Sequence, residues 1–165
     1  MKKKKSDLLR LIAELDSDAS LLESLAYKNR KAWQRIEQGS NEELDWAALG
    51  YTIHNIYNLL ENYFLRISKF FENSLDPLSW HRALIEHMSL ELEGIRPALL
   101  NRDLAIRIDE LRSFRHIFRN IYQSELDPKR VELVQGRLGA TLSAFKKAHI
   151  EFQKKIKSIA VRIED

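Results

Sequence analysis

The chain contains no cysteine, and it has only five glycines and three prolines among its 165 residues. Without thiols it can form neither a disulfide nor a thiolate metal site. An absence of cysteine fits the reducing cytoplasm, where we expect the protein to reside. Because turn-forming residues are scarce, a fold built of many short strands is disfavoured. No apolar run is long enough to cross a bilayer, so we expect no membrane association.

The charge balance alone excludes few classes of protein function. The net charge is only +3, with 31% charged and 44% hydrophobic residues, which is the composition of an ordinary globular protein. Such a balance permits nucleic-acid binding without indicating it strongly. No glycine-rich phosphate loop is present, which disfavours a nucleotide-hydrolysing enzyme. The length predicts one helical domain over residues 1–165.

Apolar residues recur at helical spacing along almost the whole chain, which predicts five helices. The predicted helices span about 6–38, 40–73, 80–92, 102–124 and 128 to near the end. Gly39 is expected to end the first helix in a left-handed conformation, and Ser40 with Glu43 has the spacing of a capping box. Asp127 and Pro128 predict the start of the fifth helix. The predicted architecture is therefore an all-α, antiparallel four- to five-helix bundle.

One stretch of the fourth helix, "RSFRHIFRNIY" at residues 112–122, concentrates four basic side chains in three turns. Its apolar stripe, predicted to face the core, comprises Ile108, Leu111, Phe114, Phe118 and Ile121. The opposite face comprises Arg112, His116, Arg119 and Gln123. Arg115 and Tyr122 fall at the boundary. No carboxylate lies between Glu110 and Glu125, so we expect acidic residues of another helix or a bound phosphate to neutralise the arginines, although an ordinary solvated face explains the pattern equally well.

The segment "FRHIFRNIY" resembles the signature of the HEPN superfamily, specifically of HepT-like toxins that pair with minimal nucleotidyltransferases. Their usual motif is Arg-Asn, three residues, His, one residue and Tyr, often preceded by Phe. Arg115 and Tyr122 match it, whereas His116 stands at the usual Asn position and Asn120 at the usual His position. The segment is also similar to a subgroup pattern, F-R-H-x-x-R-x-x-Y. That subgroup tends to carry a Trp-His and an Arg-Pro pair, here residues 80–81 and 96–97.

The resemblance implies a function as well as a fold. It implies a homodimer in which two copies of the motif helix line a shared cleft, and metal-independent cleavage of RNA in that cleft. It also implies control by a nucleotidyltransferase antitoxin that adenylylates the motif tyrosine, Tyr122. The expected partners are therefore RNA, a second copy of the chain and a nucleotidyltransferase, with no cofactor and no metal.

The chemistry of metal-free RNA cleavage assigns provisional roles to the residues of the motif. Arg115 is expected to stabilise charge on the phosphate, with Arg112 and Arg119 positioning the RNA backbone. A histidine can exchange a proton near neutral pH, whereas the amide of Asn120 cannot, so the proton-transfer role passes to His116. The alternative is a HEPN-fold module that binds RNA or a nucleotidyltransferase without cleaving. His81 is expected to fix the start of the third helix and not to perform chemistry.

Overall fold

The computed structural model describes residues 4–72, 80–120 and 125–163. Its helices are α1 (Lys5–Glu37), α2 (Glu43–Phe71), α3 (Trp80–Met88), α4 (Arg102–Arg119) and α5 (Pro128–Arg162). Within these ranges the only strand-like feature is an isolated bridge between Leu92 and Arg96. The prediction of an all-α helical bundle is thus confirmed.

The long helix α2 lies at the centre of the fold, because it packs against each of the other four helices. Residues 38–42 connect it to α1, and a connection this short makes consecutive helices antiparallel neighbours. Helix α4 packs against α2, α3 and α5. Its apolar stripe enters the core largely as predicted, since Ile108, Leu111 and Phe114 are buried while Phe118 is half-buried. The opposite face of α4 is thereby held at the surface.

The helix boundaries follow the sequence signals in two places. Gly39 has φ of 100°, a left-handed conformation that glycine adopts without strain, and it lies just beyond the end of α1. At the start of α5, the Asp127 side chain accepts a hydrogen bond from the Lys129 N–H, and Pro128 occupies the first turn of the helix. Both predicted boundaries are confirmed.

Other predicted boundaries are wrong. The expected capping box does not form, because α2 begins at Glu43 and its N-cap is Glu42, which makes no side-chain cap. The Ser40 hydroxyl donates instead to the carboxylate of Asp45, which also accepts from Arg35. Helix α3 ends at Met88, short of the predicted residue 92, and α4 ends at Arg119 with a C-cap at residue 120. The last residues of the predicted fourth helix, 121–124, lie outside the described residues.

The Arg-Pro pair has a structural explanation. The Arg96 side chain is fully buried, and its guanidinium bonds the Glu72 carboxylate at the C-terminal end of α2, with Nε 2.5 Å from Oε1. It also donates to two backbone oxygens at the end of α3, those of His87 at 2.7 Å and Leu90 at 2.9 Å. Carbonyls at a helix end have no partner within the helix. Arg96 therefore ties the ends of α2 and α3 together.

A second buried polar contact joins α5 to α1 and α2, and it predicts acid sensitivity. His149 accepts a hydrogen bond from the Tyr63 hydroxyl at Nδ1, 2.8 Å away, and its Nε2 lies 3.3 Å from Asp16 Oδ1. Burial lowers the pKa of His149, and the Asp16 charge opposes that effect only in part. The folded state therefore disfavours the protonated imidazole. The stability that the neutral imidazole contributes is fully present above the pKa of His149 in the unfolded chain, and it is lost as the pH falls through the lower pKa of His149 in the folded state.

We therefore expect the free energy of unfolding, measured by urea denaturation, to fall as the pH is lowered from 7.5 to 5. In His149→Gln, which keeps a polar group that does not titrate, the decrease should be smaller. An equal decrease in both proteins would assign the acid sensitivity to other groups, among them His54, whose pKa is also lowered.

Candidate functional site

The position of the basic face depends on how closely α4 approaches α2. Gly50 of α2 lies against the aromatic ring of Phe118, and a Cβ atom there would come within 2.7 Å of that ring. Phe118 stacks on Phe114 at a centroid distance of 5.9 Å and lies 5.6 Å from the ring of His54. Arg115 lies between Phe114 and Phe118 in the sequence, so this aromatic contact places its side chain against α2.

Arg115 is bound by α2 on several sides. Its Nε donates to Asn58 Oδ1 at 2.6 Å, and its Nη2 lies 3.5 Å from Glu61 Oε1. The guanidinium also lies over the ring of Tyr57, 5.6 Å from its centroid. The side chain is 16% exposed. The expectation that an acidic residue of another helix neutralises the arginines is therefore met for Arg115 by Glu61.

Glu61 is the centre of a polar network that extends beyond α4. Its carboxylate is 6% exposed, and Oε2 accepts hydrogen bonds from the Tyr57 hydroxyl at 3.0 Å and from His81 Nδ1 at 2.5 Å. Burial, and then the Glu61 charge, raises the pKa of Tyr57, so this phenol remains a hydrogen-bond donor. One carboxylate thus joins side chains of α2, α3 and α4.

The imidazole of His54 lies beside this network, between α2 and α4. Its Nε2 accepts a hydrogen bond from Asn58 Nδ2, 2.9 Å away. Burial lowers the pKa of His54, and the charges of Arg115 and Arg119 lower it further. The guanidinium groups of Arg115 and Arg119 are therefore both close enough to His54 to disfavour its protonated form.

The other predicted site residues on α4 are more exposed. Arg112 is half-buried and bonds Asp109 Oδ1 at 2.6 Å, one turn earlier on its own helix, and this bond raises the pKa of Arg112. His116 and Arg119 are exposed, and neither forms an ion pair with any residue in the described ranges. Of the three arginines, Arg119 is thus the one without a carboxylate among the residues whose positions are described.

The remaining predicted residues lie at or beyond the end of α4. Asn120 is the exposed C-cap, and its Nδ2 donates to the backbone oxygen of His116 at 3.0 Å. The amide is thus engaged locally at the helix end. Tyr122, the predicted acceptor of AMP, lies outside the described residues, as do Ile121 and Gln123 of the predicted faces.

Sequence reasoning missed the part of the network that α2 supplies. His54, Asn58 and Glu61 are spaced by four and three residues, so they share one face of a helix that is otherwise strongly apolar. Polar residues repeated at helical spacing among buried positions could have marked this face as the surface that contacts the arginines. The sequence places His81 in the Trp-His pair and predicts it at the start of the third helix, but it does not predict the contact of His81 with Glu61.

The chain was compared with models of known protein families. The model of the HepT-like protein family matches residues 48–156, which is more than half of the chain. The chain belongs to the HepT-like family. The matched segment includes α3, α4 and most of α2 and α5, and therefore every residue of the network around Glu61. Comparisons of the HepT-like chain with curated proteins and with solved structures returned no match.

Two further observations concern the HepT-like chain as described. No helix within residues 4–72, 80–120 and 125–163 is long and apolar enough to cross a membrane. In the same ranges, no three histidine, aspartate or glutamate side chains form a group able to hold a metal ion.

Proposed function

We propose that this HepT-like protein binds RNA on the cationic face of α4 and cleaves it without a metal ion. The single observation that carries the proposal is the placement of Arg115, whose guanidinium is fixed by Asn58 and Glu61 beside two further arginines of the same helix. A preorganised guanidinium stabilises negative charge better than a mobile one, because it does not have to reorganise when the charge develops. Membership of the HepT-like family supports the same function.

Arg115 keeps donors for a phosphate group. A guanidinium carries five N–H donors. The contacts formed within the described residues involve its Nε and Nη2 atoms, and the Nη2 contact, at 3.5 Å, is long. Other N–H groups can therefore bind phosphate oxygens. Arg119 and Arg112 would hold adjacent phosphates of the backbone, and His116 would exchange protons with the RNA.

Membership of the HepT-like family supports a proposal about the partners. We propose that two copies of α4 line one cleft in a homodimer, and that a nucleotidyltransferase antitoxin inactivates the protein by adenylylating Tyr122. Adding AMP there would place a phosphate near the arginines and compete with RNA for them. The protein would thus be the toxin half of a cytoplasmic toxin–antitoxin pair.

A second candidate function is RNA or partner binding without cleavage. It is favoured by Asn120, which replaces the histidine of the usual motif and whose amide is bonded to the end of its own helix. RNA cleavage and RNA binding without cleavage both require the arginines to contact RNA, so RNA binding is the first property to measure.

The binding experiment compares two variants of equal net charge. Arg119→Gln removes a cation that has no described ion pair, whereas Arg107→Gln removes one on another part of α4, where Arg107 pairs with Asp103. The dissociation constant for a single-stranded RNA oligonucleotide is measured by fluorescence anisotropy over a range of salt concentrations. Loss of one phosphate contact should weaken binding and lower the slope of log affinity against log salt by about 0.7 in Arg119→Gln.

Arg107→Gln should bind with the same slope as the wild-type protein. Equal slopes for both variants would contradict the proposed placement of RNA on the face that carries Arg119.

A further inference from the structure

We propose that His81, on α3, is the residue that takes the 2′-hydroxyl proton during RNA cleavage. This inference rests on the proposed function and replaces His116 in the proton-transfer role. It comes from the contacts of Glu61, which bring an imidazole and the guanidinium of Arg115 to the two oxygens of one carboxylate.

The first argument is proximity. Glu61 Oε2 is 2.5 Å from His81 Nδ1, and Oε1 of the same carboxylate is 3.5 Å from Arg115 Nη2. A phosphate held by Arg115 would therefore lie next to His81. Metal-free cleavage needs these two groups, positive charge and a proton acceptor, at one site.

The second argument is orientation. The Nδ1–H group of His81 donates to the carboxylate of Glu61, which favours the tautomer with its lone pair on Nε2. A buried carboxylate that orients a histidine in this way also stabilises the imidazolium formed when the histidine accepts a proton. The His81 side chain is 36% exposed while Glu61 is 6% exposed, so the imidazole lies between the buried carboxylate and the solvent.

The third argument is the position of His116. It follows Arg115 directly in the chain, and consecutive side chains on a helix point about 100° apart. His116 is exposed, and its side chain makes no hydrogen bond or ion pair with Asn58, Glu61 or any other described residue. His116 is thus adjacent to Arg115 in sequence, whereas His81 is joined to Arg115 through Glu61.

The proposed step conserves atoms and charge. The base, His81, takes the 2′-hydroxyl proton, and the electron pair of that O–H bond forms the bond from O2′ to phosphorus. The bond from phosphorus to O5′ breaks with its electron pair on O5′, which takes a proton from water. His81 then returns its proton to the hydroxide. The products are a 2′,3′-cyclic phosphate and a 5′-hydroxyl, and Arg115 offsets the charge on the phosphate oxygens during the step.

The test uses substitutions that separate proton exchange from folding. His81→Asn keeps an amide donor near the position of Nδ1 but cannot exchange a proton, and we expect RNA cleavage to fall about 100- to 10,000-fold. His87→Asn is the matched control, since His87 lies on the same helix, is 38% exposed and also faces a carboxylate, that of Glu72. This control should cleave at the wild-type rate.

Chemical rescue then distinguishes a base from a structural residue. Added imidazole should restore cleavage by His81→Ala, and at one pH the rate constant should rise with the pKa of a series of substituted imidazoles. Cleavage at the wild-type rate by His81→Asn, or a rescue that does not depend on the pKa of the imidazole, would overturn the role of His81. If His116→Ala loses cleavage while His81→Asn does not, the proton-transfer role belongs to His116 and not to His81. Absence of cleavage by the wild-type protein would instead overturn the proposed ribonuclease function, and the role of His81 with it.

Discussion

Replacing Arg115 with alanine is expected to lower the rate of RNA cleavage by about 100- to 1000-fold, the usual effect of removing one preorganised donor to a charged transition state. The guanidinium is fixed by Asn58 and Glu61, so its donors face a bound phosphate without first reorganising. The measurement is the initial rate of cleavage of a fluorescent RNA in EDTA, at saturating protein. RNA affinity should change less than the rate if Arg115 acts mainly on the transition state.

A second variant distinguishes a loss of catalysis from a loss of folding. Alanine at position 115 leaves the carboxylate of Glu61 buried without its cation, which would itself destabilise the fold. Arg115→Lys retains a positive charge near Glu61 but loses the planar fork that contacts Asn58 and grips two phosphate oxygens. It should remain folded by circular dichroism and still lose most of the cleavage. Full activity in folded Arg115→Lys would show that a point charge is sufficient, and would contradict a role for the planar guanidinium of Arg115.

Replacing Arg96 with alanine is expected to lower the free energy of unfolding by about 3–5 kcal/mol, the usual cost of removing one partner of a buried ion pair. The guanidinium is fully buried and satisfies both the Glu72 carboxylate and the carbonyl oxygens of His87 and Leu90. Its loss would leave the Glu72 carboxylate, which is 12% exposed, without its nearest cation, and would remove a donor from each of the two carbonyl oxygens. Urea denaturation of the purified variant measures the change directly.

The matched control is Arg82→Ala. Arg82 pairs with Glu86 one turn away on α3, and both side chains are well exposed. Such surface pairs contribute about 0.5 kcal/mol or less, so this variant should unfold close to the wild-type midpoint. Arg96→Met combined with Glu72→Leu should recover much of the stability lost in Arg96→Ala, because no charge remains unpaired. Equal midpoints for Arg96→Ala and Arg82→Ala would contradict the structural role given to Arg96.

The sequence predicts the helices well because their signals are local. The apolar periodicity, the left-handed Gly39 and the Asp127 cap before Pro128 each depend on a few neighbouring residues. The capping box at Ser40 fails because a side chain five residues away, that of Asp45, is the acceptor for its hydroxyl. Local spacing does not show whether the Ser40 hydroxyl will bond the backbone N–H of Glu43, as a capping box requires, or a nearby carboxylate.

The candidate site was predictable in part. The helical periodicity of α4 predicts Arg115 at the boundary of the core, and the side chain is half-buried there. Its partners, however, are 54 and 57 residues earlier in the chain, at Glu61 and Asn58. Nothing in the spacing along α4 identifies residues so distant in sequence. The same limit applies to His81, whose contact with Glu61 exists only because α3 packs against α2. The Arg-Pro pair, which served as a family marker in the sequence, proves to carry a buried structural contact.

The most direct test of the proposed ribonuclease is to incubate a short RNA with the purified wild-type protein in EDTA. The same RNA carrying a single 2′-deoxynucleotide at the cleaved position is incubated beside it. We predict that the all-ribose strand is cleaved to a 2′,3′-cyclic phosphate and a 5′-hydroxyl, and that the 2′-deoxy strand stays intact at that position. Retention of both strands intact under conditions in which the RNA is bound would contradict it, and would leave RNA binding without cleavage as the function of the arginine face.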